Sequence, residues 1–351
     1  MRGDLATQVV RWQAEFGRHH LPWQNTTDPY RVWLSEIMLQ QTQVVTVLDY
    51  FPRFLARFPD VRTLACAHLD EVLALWSGLG YYSRARHLHA CAIQVVAVHE
   101  GEFPRAAQVL LTLPGIGRST AAAIASLCFG ERAAILDGNV KRVLTRFLGF
   151  REDLAKAANE KALWEIATDV LPKRDLQRTM PRYTQGMMDL GATVCLSKKP
   201  LCSACPVAAS CRANEEGTPE QYPVKSRKLK RSNQSLWLLW ATRPDGAVWL
   251  SRRPTPGVWA GLFCMALFDS HAALLAALPE RYRGTVVDEA VVPHVLTHKD
   301  LFLHPVRVRL PGAAMTNTDA DRTHGAWFAA QAWPALGLPA PIRKLLVQAQ
   351  A

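Results

Sequence analysis

LPGIGRST, at residues 113–120, separates two runs, AAQVLL and AAAIASL, whose apolar residues predict helices. Gly115 and Gly117 lie in this short turn, where residues without a Cβ let the backbone come close to a partner. The N–H groups at the start of the second helix form a site that favours an anion. The stretch therefore predicts a helical hairpin whose turn contacts a phosphate, and an ordinary helix–helix turn is the alternative.

The composition indicates a globular protein with an anionic partner. The chain has 351 residues, 49% of them hydrophobic, which allows a sizeable core and two or three domains. Lys and Arg number 41 against 30 Asp and Glu, and the formal charge of +11 favours a polyanion, a basic protein without such a partner being the alternative. No apolar run reaches the roughly 18 residues of a membrane span. We therefore expect no membrane partner and a cytoplasmic location, associated with the nucleoid if the source is bacterial.

The sequence pattern changes near residue 212. Before it, apolar residues recur at three- and four-residue spacing, which predicts an all-α region over 1–212. Residues 213–232 are polar and basic and include prolines, which predicts a linker. Short strand-like runs and two helical runs follow, which predicts an α+β domain over 233–351. The fold class is therefore multidomain, an all-α region followed by an α+β domain.

A cluster of cysteines is the most specific signal. The pattern C-x6-C-x2-C-x5-C is formed by Cys195, Cys202, Cys205 and Cys211. In a cytosolic protein this spacing indicates a metal site rather than disulfides. Zinc ligands normally come in two close pairs, whereas here only Cys202 and Cys205 form one, so a 4Fe–4S cluster is favoured over zinc. Lys198 and Lys199 lie on the same loop, where they suit a surface that contacts phosphates.

Two carboxylates are candidates for acid–base chemistry. Glu36 lies in a helix that Asp28 and Pro29 start, among apolar neighbours that should make it hold its proton more tightly than in water. Such a group suits a general acid, and an ordinary surface glutamate is the alternative. Asp137 precedes a Gly-Asn turn that points it into a cleft, and it is also expected to cap the helix that begins near Val140.

Two corners present polar or aromatic side chains beside arginines. One is at Gln41, where a helix ends. The other is GLGYYSRAR, in which Gly78 and Gly80 break a helix and present Tyr81 and Tyr82. Such side chains suit wedging into a base stack, and one of the two tyrosines is expected to pack in the core instead.

These motifs resemble a known family. LPGIGRST, ILDGNVKR and the cysteine spacing resemble the helix-hairpin-helix superfamily of DNA glycosylases with an iron–sulfur cluster. LPWQ, WLSEIMLQQTQV, GLGYYSRAR and MMDLGATVC resemble, more specifically, the adenine DNA glycosylase family of the MutY type, over about residues 5–211. The resemblance implies a six-helix barrel near residues 26–134 and a cluster lobe formed by 1–25 and 135–212. It also implies release of adenine from double-stranded DNA where adenine is mispaired with 8-oxoguanine or guanine, and we expect the enzyme to act as a monomer.

The resemblance also implies the roles of individual residues. Glu36 would protonate N7 of adenine, Asp137 would stabilise the oxocarbenium-like sugar, and Asn139 would position the carboxylate or the sugar. The adenine pocket would be lined by Trp23, Ser119 and Gln185. The wedge at the mispair would be formed by Gln41 and Tyr81, and flipping the base costs a few kcal/mol of unstacking.

Ser119 predicts how the glycosidic bond is broken. In bifunctional relatives of the endonuclease III type, the matching residue is a lysine that forms a Schiff base with the sugar. Serine cannot form an imine, so we expect attack by water and an abasic product. Lys141, close to Asp137 in the sequence, could trap the aldehyde and leave a residual lyase activity.

The C-terminal region resembles the Nudix-like domain of the same family. Its segment GVWAGLFCMALFDSHAALLAALPE lacks the R-E-x-x-E-E box that holds a divalent metal, so we do not expect pyrophosphate hydrolysis. The family's lesion-reading pattern, H-x-F-S-H, corresponds to HVLTH at residues 294–298. Leu296, Thr297 and His298 are therefore expected to recognise 8-oxoguanine, although Leu296 replaces an aromatic residue. A strand-end loop with a solvated histidine is the alternative.

Two other functions compete with this interpretation. A bifunctional pyrimidine glycosylase and lyase of the endonuclease III type is opposed by Ser119. A non-catalytic iron–sulfur protein that binds DNA would not need Glu36 and Asp137 together.

Overall fold

The computed structural model describes residues 4–226, 230–311 and 325–349. Its helices are α1 (Leu5–Phe16), α2 (Pro29–Leu39), α3 (Val44–Arg57), α4 (Val61–Cys66), α5 (Leu69–Leu75), α6 (Ser83–His99), α7 (Ala107–Leu110), α8 (Arg118–Phe129), α9 (Gly138–Leu148), α10 (Ala157–Asp169), α11 (Leu176–Thr193), α12 (Arg212–Glu215), α13 (His271–Ala276), α14 (Glu280–Arg283) and α15 (Ala340–Gln348). Its strands are β1 (Ser232–Thr242), β2 (Val248–Arg252), β3 (Phe263–Cys264), β4 (Ala266–Phe268), β5 (Val287–Asp288), β6 (Val292–Val295), β7 (Lys299–Arg309) and β8 (Gly325–Phe328). An all-α region followed by an α+β domain is confirmed.

The chain forms two compact units. The first unit comprises Met1–Cys66 and Ala90–Lys228, and the second unit comprises Ala67–His89 and Leu229–Ala351. Residues 67–89, which we expect within the helical barrel, group with the C-terminal part of the chain by their contacts, and the predicted domain bounds stay a prediction. Tertiary contacts made by this segment, which its own helical pattern does not reveal, decide the grouping.

The structure describes most of the predicted linker. Over residues 213–226 it packs within the first unit, where Tyr222 is buried and its hydroxyl donates a 2.8 Å hydrogen bond to Glu216. Glu216 also accepts from Arg151 and Arg212, so these side chains form a local polar network. Residues 227–229 of the predicted linker lie outside the described residues.

The core of the first unit forms where α1, α8, α9 and α11 pack together. Val9 of α1 is fully buried, and a Cβ on Gly186 of α11 would lie 2.8 Å from Val9 Cγ1, so only glycine allows this close approach. The same helix α11 approaches α9 at Gly191, whose Cβ would lie 2.5 Å from Asn139 Cβ. Helix α11 is therefore the element that connects the N-terminal helix with the segment around Asp137.

The second unit is built on a mixed sheet. Its strand order is β3-β2-β1-β7-β5, with β4 paired to β1, β6 to β7 and β8 to β2. Strands β1 and β7 are parallel from Ser232↔Lys299 to Thr242↔Arg309, and the other pairs are antiparallel. Helix α13 buries Leu274 against one face of the sheet. Across the described ranges, no helix is long and apolar enough to cross a membrane.

Candidate active site

Glu36 is held in an apolar environment by helix α2. The N-cap of this helix is Asp28, whose carboxylate accepts from the Tyr30 N–H at 2.9 Å, as predicted. Trp33 and Leu34, from the same helix, are fully buried, while Glu36 itself remains partly exposed. Burial, and secondarily the charge of Asp137, raise the pKa of Glu36 to about 7. A carboxyl group with this pKa holds a proton at neutral pH and can act as a general acid.

Asp137 is fixed at the start of helix α9. Its Oδ1 accepts from the Val140 N–H at 2.8 Å, which confirms the predicted N-cap. Burial raises the pKa of Asp137, while the N–H groups of Val140 and Asn139 and the charges of Arg142 and Lys141 act in the opposite direction. Because these donors and cations favour the charged form, Asp137 is the better candidate for the ionised carboxylate and Glu36 for the protonated one.

Asn139 is oriented by a residue that the sequence interpretation missed. Arg142 Nη2 donates to Asn139 Oδ1 at 2.9 Å and to the Gly191 carbonyl at 2.6 Å, and its Nε donates to the Cys195 carbonyl at 2.7 Å. One guanidinium therefore joins Asn139 to α11 and to the first cysteine of the cluster. Its place on α9, one turn after Asp137, is the sequence signal that could have identified it.

Ser119 supports the segment that leads to Asp137. Its Oγ accepts from the Leu136 N–H at 3.1 Å, one residue before the catalytic candidate. Lys141, the candidate for trapping the aldehyde, forms a 2.5 Å ion pair with Glu160. The structure thus gives Ser119 a hydrogen bond to the residue that precedes Asp137, and it shows the Lys141 amine paired with Glu160.

The two glycines of the hairpin turn, Gly115 and Gly117, differ in backbone conformation. Gly115 has φ 75°, a conformation that favours glycine. Gly117 is the N-cap of α8 in an extended conformation, and a Cβ there would meet no described heavy atom within 4 Å. Packing therefore does not require glycine at 117, and both residues are exposed.

Trp23 and Gln185, the other predicted pocket residues, have different surroundings. Trp23 is only 7% exposed, and its ring packs edge-on against Phe51 with centroids 5.5 Å apart. Gln185 is partly exposed on α11, and its Nε2 donates to Asp189 Oδ1 at 2.9 Å. Asp189, which the sequence interpretation missed, is fully buried beside a predicted pocket residue. A lone acid among the apolar residues of MMDLGATVC was the signal for it.

The four cysteines of the predicted metal site line one cavity of the first unit. Arg146 lines it as well and is buried, with Nη1 3.3 Å from Cys195 Sγ and 2.5 Å from the Leu196 carbonyl. Over the described parts of the chain, no group of three or more His, Cys, Asp or Glu residues that could hold a metal ion is found. Lys198 and Lys199 are exposed, and the Lys199 N–H donates to Glu220 Oε1 at 2.7 Å.

The two predicted wedge residues share an unusual backbone conformation. Gln41, in the first unit, has φ 54° and is exposed. Tyr81, in the second unit, has φ 49° and is 40% exposed, whereas Tyr82 is less exposed and donates to the Leu338 carbonyl at 3.0 Å. One exposed and one packed tyrosine is the predicted arrangement. Left-handed backbone is uncommon for residues other than glycine and marks both corners as candidates for function.

The predicted lesion loop is the tip of a hairpin in the second unit. Strands β6 and β7 flank it, and the Leu296 N–H donates to the Lys299 carbonyl at 2.8 Å. Leu296, Thr297 and His298 line a cavity of about 760 Å³ together with Tyr81. Hydrogen bonding joins the Tyr81 and Thr297 hydroxyls, and His298 is exposed. The structure therefore brings a predicted wedge residue and the predicted lesion loop to one cavity.

The same cavity contains a strained aromatic residue. Trp259 has φ 57°, and its ring lies 5.8 Å from that of His294 between centroids. Arg86, also in the lining, donates from Nη1 to the Ala260 carbonyl at 2.7 Å. Neither Trp259 nor Arg86 was assigned to the lesion loop from the sequence, because the turn that carries Trp259 and the helix that carries Arg86 are distant from that loop in the chain.

Comparison with known families and structures identifies both regions of the chain. Residues 34–168 match the model of the HhH-GPD superfamily of base excision DNA repair proteins, and residues 237–348 match the NUDIX domain model. Among solved structures, a thermostable thymine-DNA glycosylase aligns with a TM-score of 0.52 and 28% identity, over 60% of this chain and 95% of that one. Endonuclease III in a non-covalent DNA complex aligns with a TM-score of 0.50 and 21% identity, which shows the fold alone.

Two relatives, one similar over part of this chain and one over nearly all of it, carry the same name. The adenine DNA glycosylase of human is 42% identical over 214 residues, which is 58% of this chain and 38% of that protein. The adenine DNA glycosylase of Buchnera aphidicola subsp. Acyrthosiphon pisum (strain APS) is 36% identical over 340 residues, which is 96% of this chain and 95% of that protein. With both domains matched and the Buchnera relative aligned over nearly its whole length, the chain belongs to the adenine DNA glycosylase family of base excision repair enzymes.

Proposed function

We propose that this DNA glycosylase removes adenine paired with 8-oxoguanine or with guanine in double-stranded DNA, by hydrolysis, and leaves an abasic site. The observation that carries the mechanism is the pair of carboxyl groups Glu36 and Asp137. Their mutual charge contributes to the raised pKa of Glu36, about 7, so one carboxyl can hold a proton beside an ionised one. This division of roles is what cleavage of a glycosidic bond requires.

The reaction proceeds by protonation and departure of the base. Glu36 transfers its proton to N7 of the flipped adenine while the C1′–N9 bond breaks and its electron pair leaves with the base. Asp137 stabilises the positive charge that develops on the sugar, held by the Val140 N–H at 2.8 Å. Water then adds to C1′, and a carboxylate accepts its proton. Asn139, fixed by Arg142, keeps the Asp137 segment in place.

The product is an abasic site because no lysine amine is available at the position of Ser119. The Ser119 hydroxyl instead accepts from the Leu136 N–H, and its oxygen cannot form an imine with the sugar. The Lys141 amine, paired with Glu160 at 2.5 Å, is held away from incidental attack on the aldehyde. Strand cleavage should therefore require subsequent heat and alkali.

Four thiols lining one cavity support a 4Fe–4S cluster held by Cys195, Cys202, Cys205 and Cys211. Such a donor set suits the cluster, and the Arg146 guanidinium beside Cys195 Sγ compensates negative charge on the thiolates. When bound, the cluster would cross-link this loop; glycosidic hydrolysis needs no electron transfer. Protein purified anaerobically should be yellow-brown with about four irons per chain. A colourless preparation with stoichiometric zinc would refute this assignment.

Exposed groups of the first unit support the phosphate contacts. The turn at Gly115 and Gly117 leaves backbone N–H groups at the start of α8, where they attract an anion. Lys198 and Lys199 are exposed on the cysteine loop. We expect the protein to bind DNA as a monomer, and light scattering that gives the mass of a 1:1 complex would establish this. We also expect the affinity for DNA to fall as the salt concentration rises.

The hairpin tip supports recognition of 8-oxoguanine. Thr297 supplies a hydroxyl and His298 an exposed imidazole at a cavity that also contains Tyr81. His298→Ala should slow adenine release opposite 8-oxoguanine more than opposite guanine, since only the oxidised base carries N7–H and O8. Leu296→Phe should move the ratio of these two rates in the opposite direction. Equal ratios in the native protein and both variants, at one salt concentration, would mean that the lesion is read elsewhere.

A single-turnover assay tests the function as a whole. Duplexes with adenine opposite 8-oxoguanine, adenine opposite guanine and a damaged pyrimidine opposite guanine are incubated with excess protein, with and without heat and alkali. We expect alkali-dependent cleavage at adenine in the first two. Alkali-independent strand cleavage at the pyrimidine would support the bifunctional alternative, and binding without cleavage would support the non-catalytic one.

A further inference from the structure

The carboxylate of Asp189 is completely buried in the first unit yet forms hydrogen bonds to two different parts of it. It is 0% exposed. Its Oδ2 accepts from the Arg18 backbone N–H at 3.0 Å, and its Oδ1 accepts from Arg18 Nε at 2.7 Å and from Gln185 Nε2 at 2.9 Å. Arg18 lies just after α1, while Gln185 and Asp189 lie one turn apart on α11.

A buried ion pair of this kind is weak evidence for a role in stability, since apolar side chains often stabilise such positions equally well. What the carboxylate does determine is orientation. An ionised carboxylate only accepts hydrogen bonds, so the side-chain amide of Gln185 must turn its NH₂ group toward Asp189. Its Oε1 then faces away from Asp189 as an acceptor of fixed direction.

The same carboxylate also anchors the segment that carries Trp23. Arg18 begins this segment. Two further hydrogen bonds hold it: His19 Nε2 lies 3.0 Å from the Gln13 carbonyl, and Asn25 Nδ2 donates to the His19 carbonyl at 2.7 Å. Asp189 thus contacts one predicted pocket residue directly and, through Arg18, holds the start of the segment that leads to another.

An oriented acceptor discriminates between purine bases. Adenine presents an amino group at C6, which donates, whereas guanine presents O6, which accepts. An Oε1 atom held toward C6 therefore favours adenine and disfavours guanine. A carboxamide free to rotate would accept from one base and donate to the other.

We propose that Asp189 is a positioning residue that locks the Gln185 carboxamide with Oε1 toward the 6-amino group of the flipped adenine. This inference rests on the proposed function, in which Gln185 lines the adenine pocket. It assigns the choice of base to the relay from Arg18 through Asp189 to Gln185, separately from the carboxylates that break the bond.

The test compares two leaving bases. Single-turnover rates are measured on duplexes with adenine or with unsubstituted purine, which lacks the 6-amino group, opposite 8-oxoguanine. Asp189→Asn and Gln185→Ala should each lower the ratio of adenine rate to purine rate by about tenfold, the effect of one lost hydrogen bond. The double variant that combines Asp189→Asn with Gln185→Ala should lower the ratio no further than Gln185→Ala alone, because Asp189 acts through Gln185.

Reversing donor and acceptor provides a rescue. In the double variant D189N/Q185E, the new side-chain amide at 189 can donate to a carboxylate at 185, which presents only acceptors to the base. The ratio should therefore recover relative to Asp189→Asn alone. A merely structural role for Asp189 does not predict this recovery, and D189N/Q185E still tests the proposal if Asp189→Asn by itself fails to fold.

Thr184→Val is the matched control. Thr184 is buried next to Gln185 on α11, and within the described residues its hydroxyl has no hydrogen-bond partner. This nearly isosteric change should leave the ratio unaltered. Suppose that the native enzyme is active. If the ratio of adenine rate to purine rate is then unchanged in Gln185→Ala, or unchanged in both Asp189→Asn and D189N/Q185E, this inference is overturned while the proposed function stands. A native protein that releases no adenine opposite 8-oxoguanine would overturn the proposed function and this inference with it.

Discussion

Replacing Glu36 with glutamine should abolish adenine release and, in the same variant, stabilise the fold at alkaline pH. Burial and the charge of Asp137 raise the pKa of Glu36 from 4.5 to about 7. At pH 7 about half of the molecules then hold the catalytic proton, against about 0.3% for a carboxyl with the ordinary pKa. Loss of this acid should slow base release by about 100-fold or more. The native rate should fall about tenfold for each pH unit above 7 as Glu36 ionises.

The stability effect has the opposite sign and follows from the same pKa. Because the folded state holds the proton of Glu36 more tightly than the unfolded state, the ionised side chain destabilises the fold. This cost is absent below pH 4.5, grows between 4.5 and about 7, and is constant above that range. The pKa difference sets an upper limit of about 3 kcal/mol, and the partial exposure of Glu36 reduces our expectation to about 1–2 kcal/mol. Glutamine, which does not ionise, avoids this cost.

Two measurements on the same proteins check this reasoning. Single-turnover rates of adenine release are recorded from pH 5.5 to 9, and unfolding free energies are measured by denaturant titration at pH 5 and pH 8. The gain in stability of Glu36→Gln over the native protein should be larger at pH 8. A native rate that does not change between pH 6 and 9, or a variant with a near-native rate, would refute the role of Glu36 as the acid. An equal stability difference at both pH values would refute its raised pKa.

Three further predictions follow from single contacts. Asp137→Asn should slow base release by at least about 100-fold in single-turnover assays, while a filter-binding titration should show an affinity for the mispair changed by less than about threefold. Near-native release would remove Asp137 from the mechanism. Arg146→Met should lower the iron content of purified protein, because a buried cation 3.3 Å from Cys195 Sγ is lost; unchanged iron would show that its charge is dispensable. In the second unit, Arg252 and Asp70 are joined by hydrogen bonds of 2.8 and 2.7 Å. A double-mutant cycle with alanine at both positions should give a coupling energy of about 1 kcal/mol in the free energy of unfolding, and additive effects of the two substitutions would contradict this prediction.

Features that depend on neighbouring residues could be predicted from the sequence. The helix starts at Asp28 and Asp137 are confirmed, because an N-cap bond joins a side chain to an N–H two or three residues ahead. The apolar surroundings of Glu36 were predictable too, since its neighbours on one helix are read directly from their spacing. The same holds for the all-α region, the α+β domain and the family, which short motifs identify.

Contacts between distant residues were decided by the tertiary structure. Asp189 meets Arg18 across 171 positions of the chain, and the tip that carries Thr297 meets Tyr81 across 216. No periodicity or spacing encodes such pairs, because they form only when helices and strands pack. For this reason the sequence predicted Gln185 as a pocket residue but did not indicate Asp189, the acid that accepts a hydrogen bond from its side-chain amide.

The grouping of segments was likewise fixed by packing. Residues 67–89 follow the helical pattern of the N-terminal region, yet they belong to the second unit, where Ser77 Oγ donates to the Leu338 carbonyl at 2.9 Å. Local amphipathicity determines that α5 is a helix with a face to bury, but it does not determine which surface buries that face. The sequence by itself thus determined the main helices and strands, the N-caps at Asp28 and Asp137 and the candidates for catalysis, whereas only the tertiary structure decided which of these elements meet.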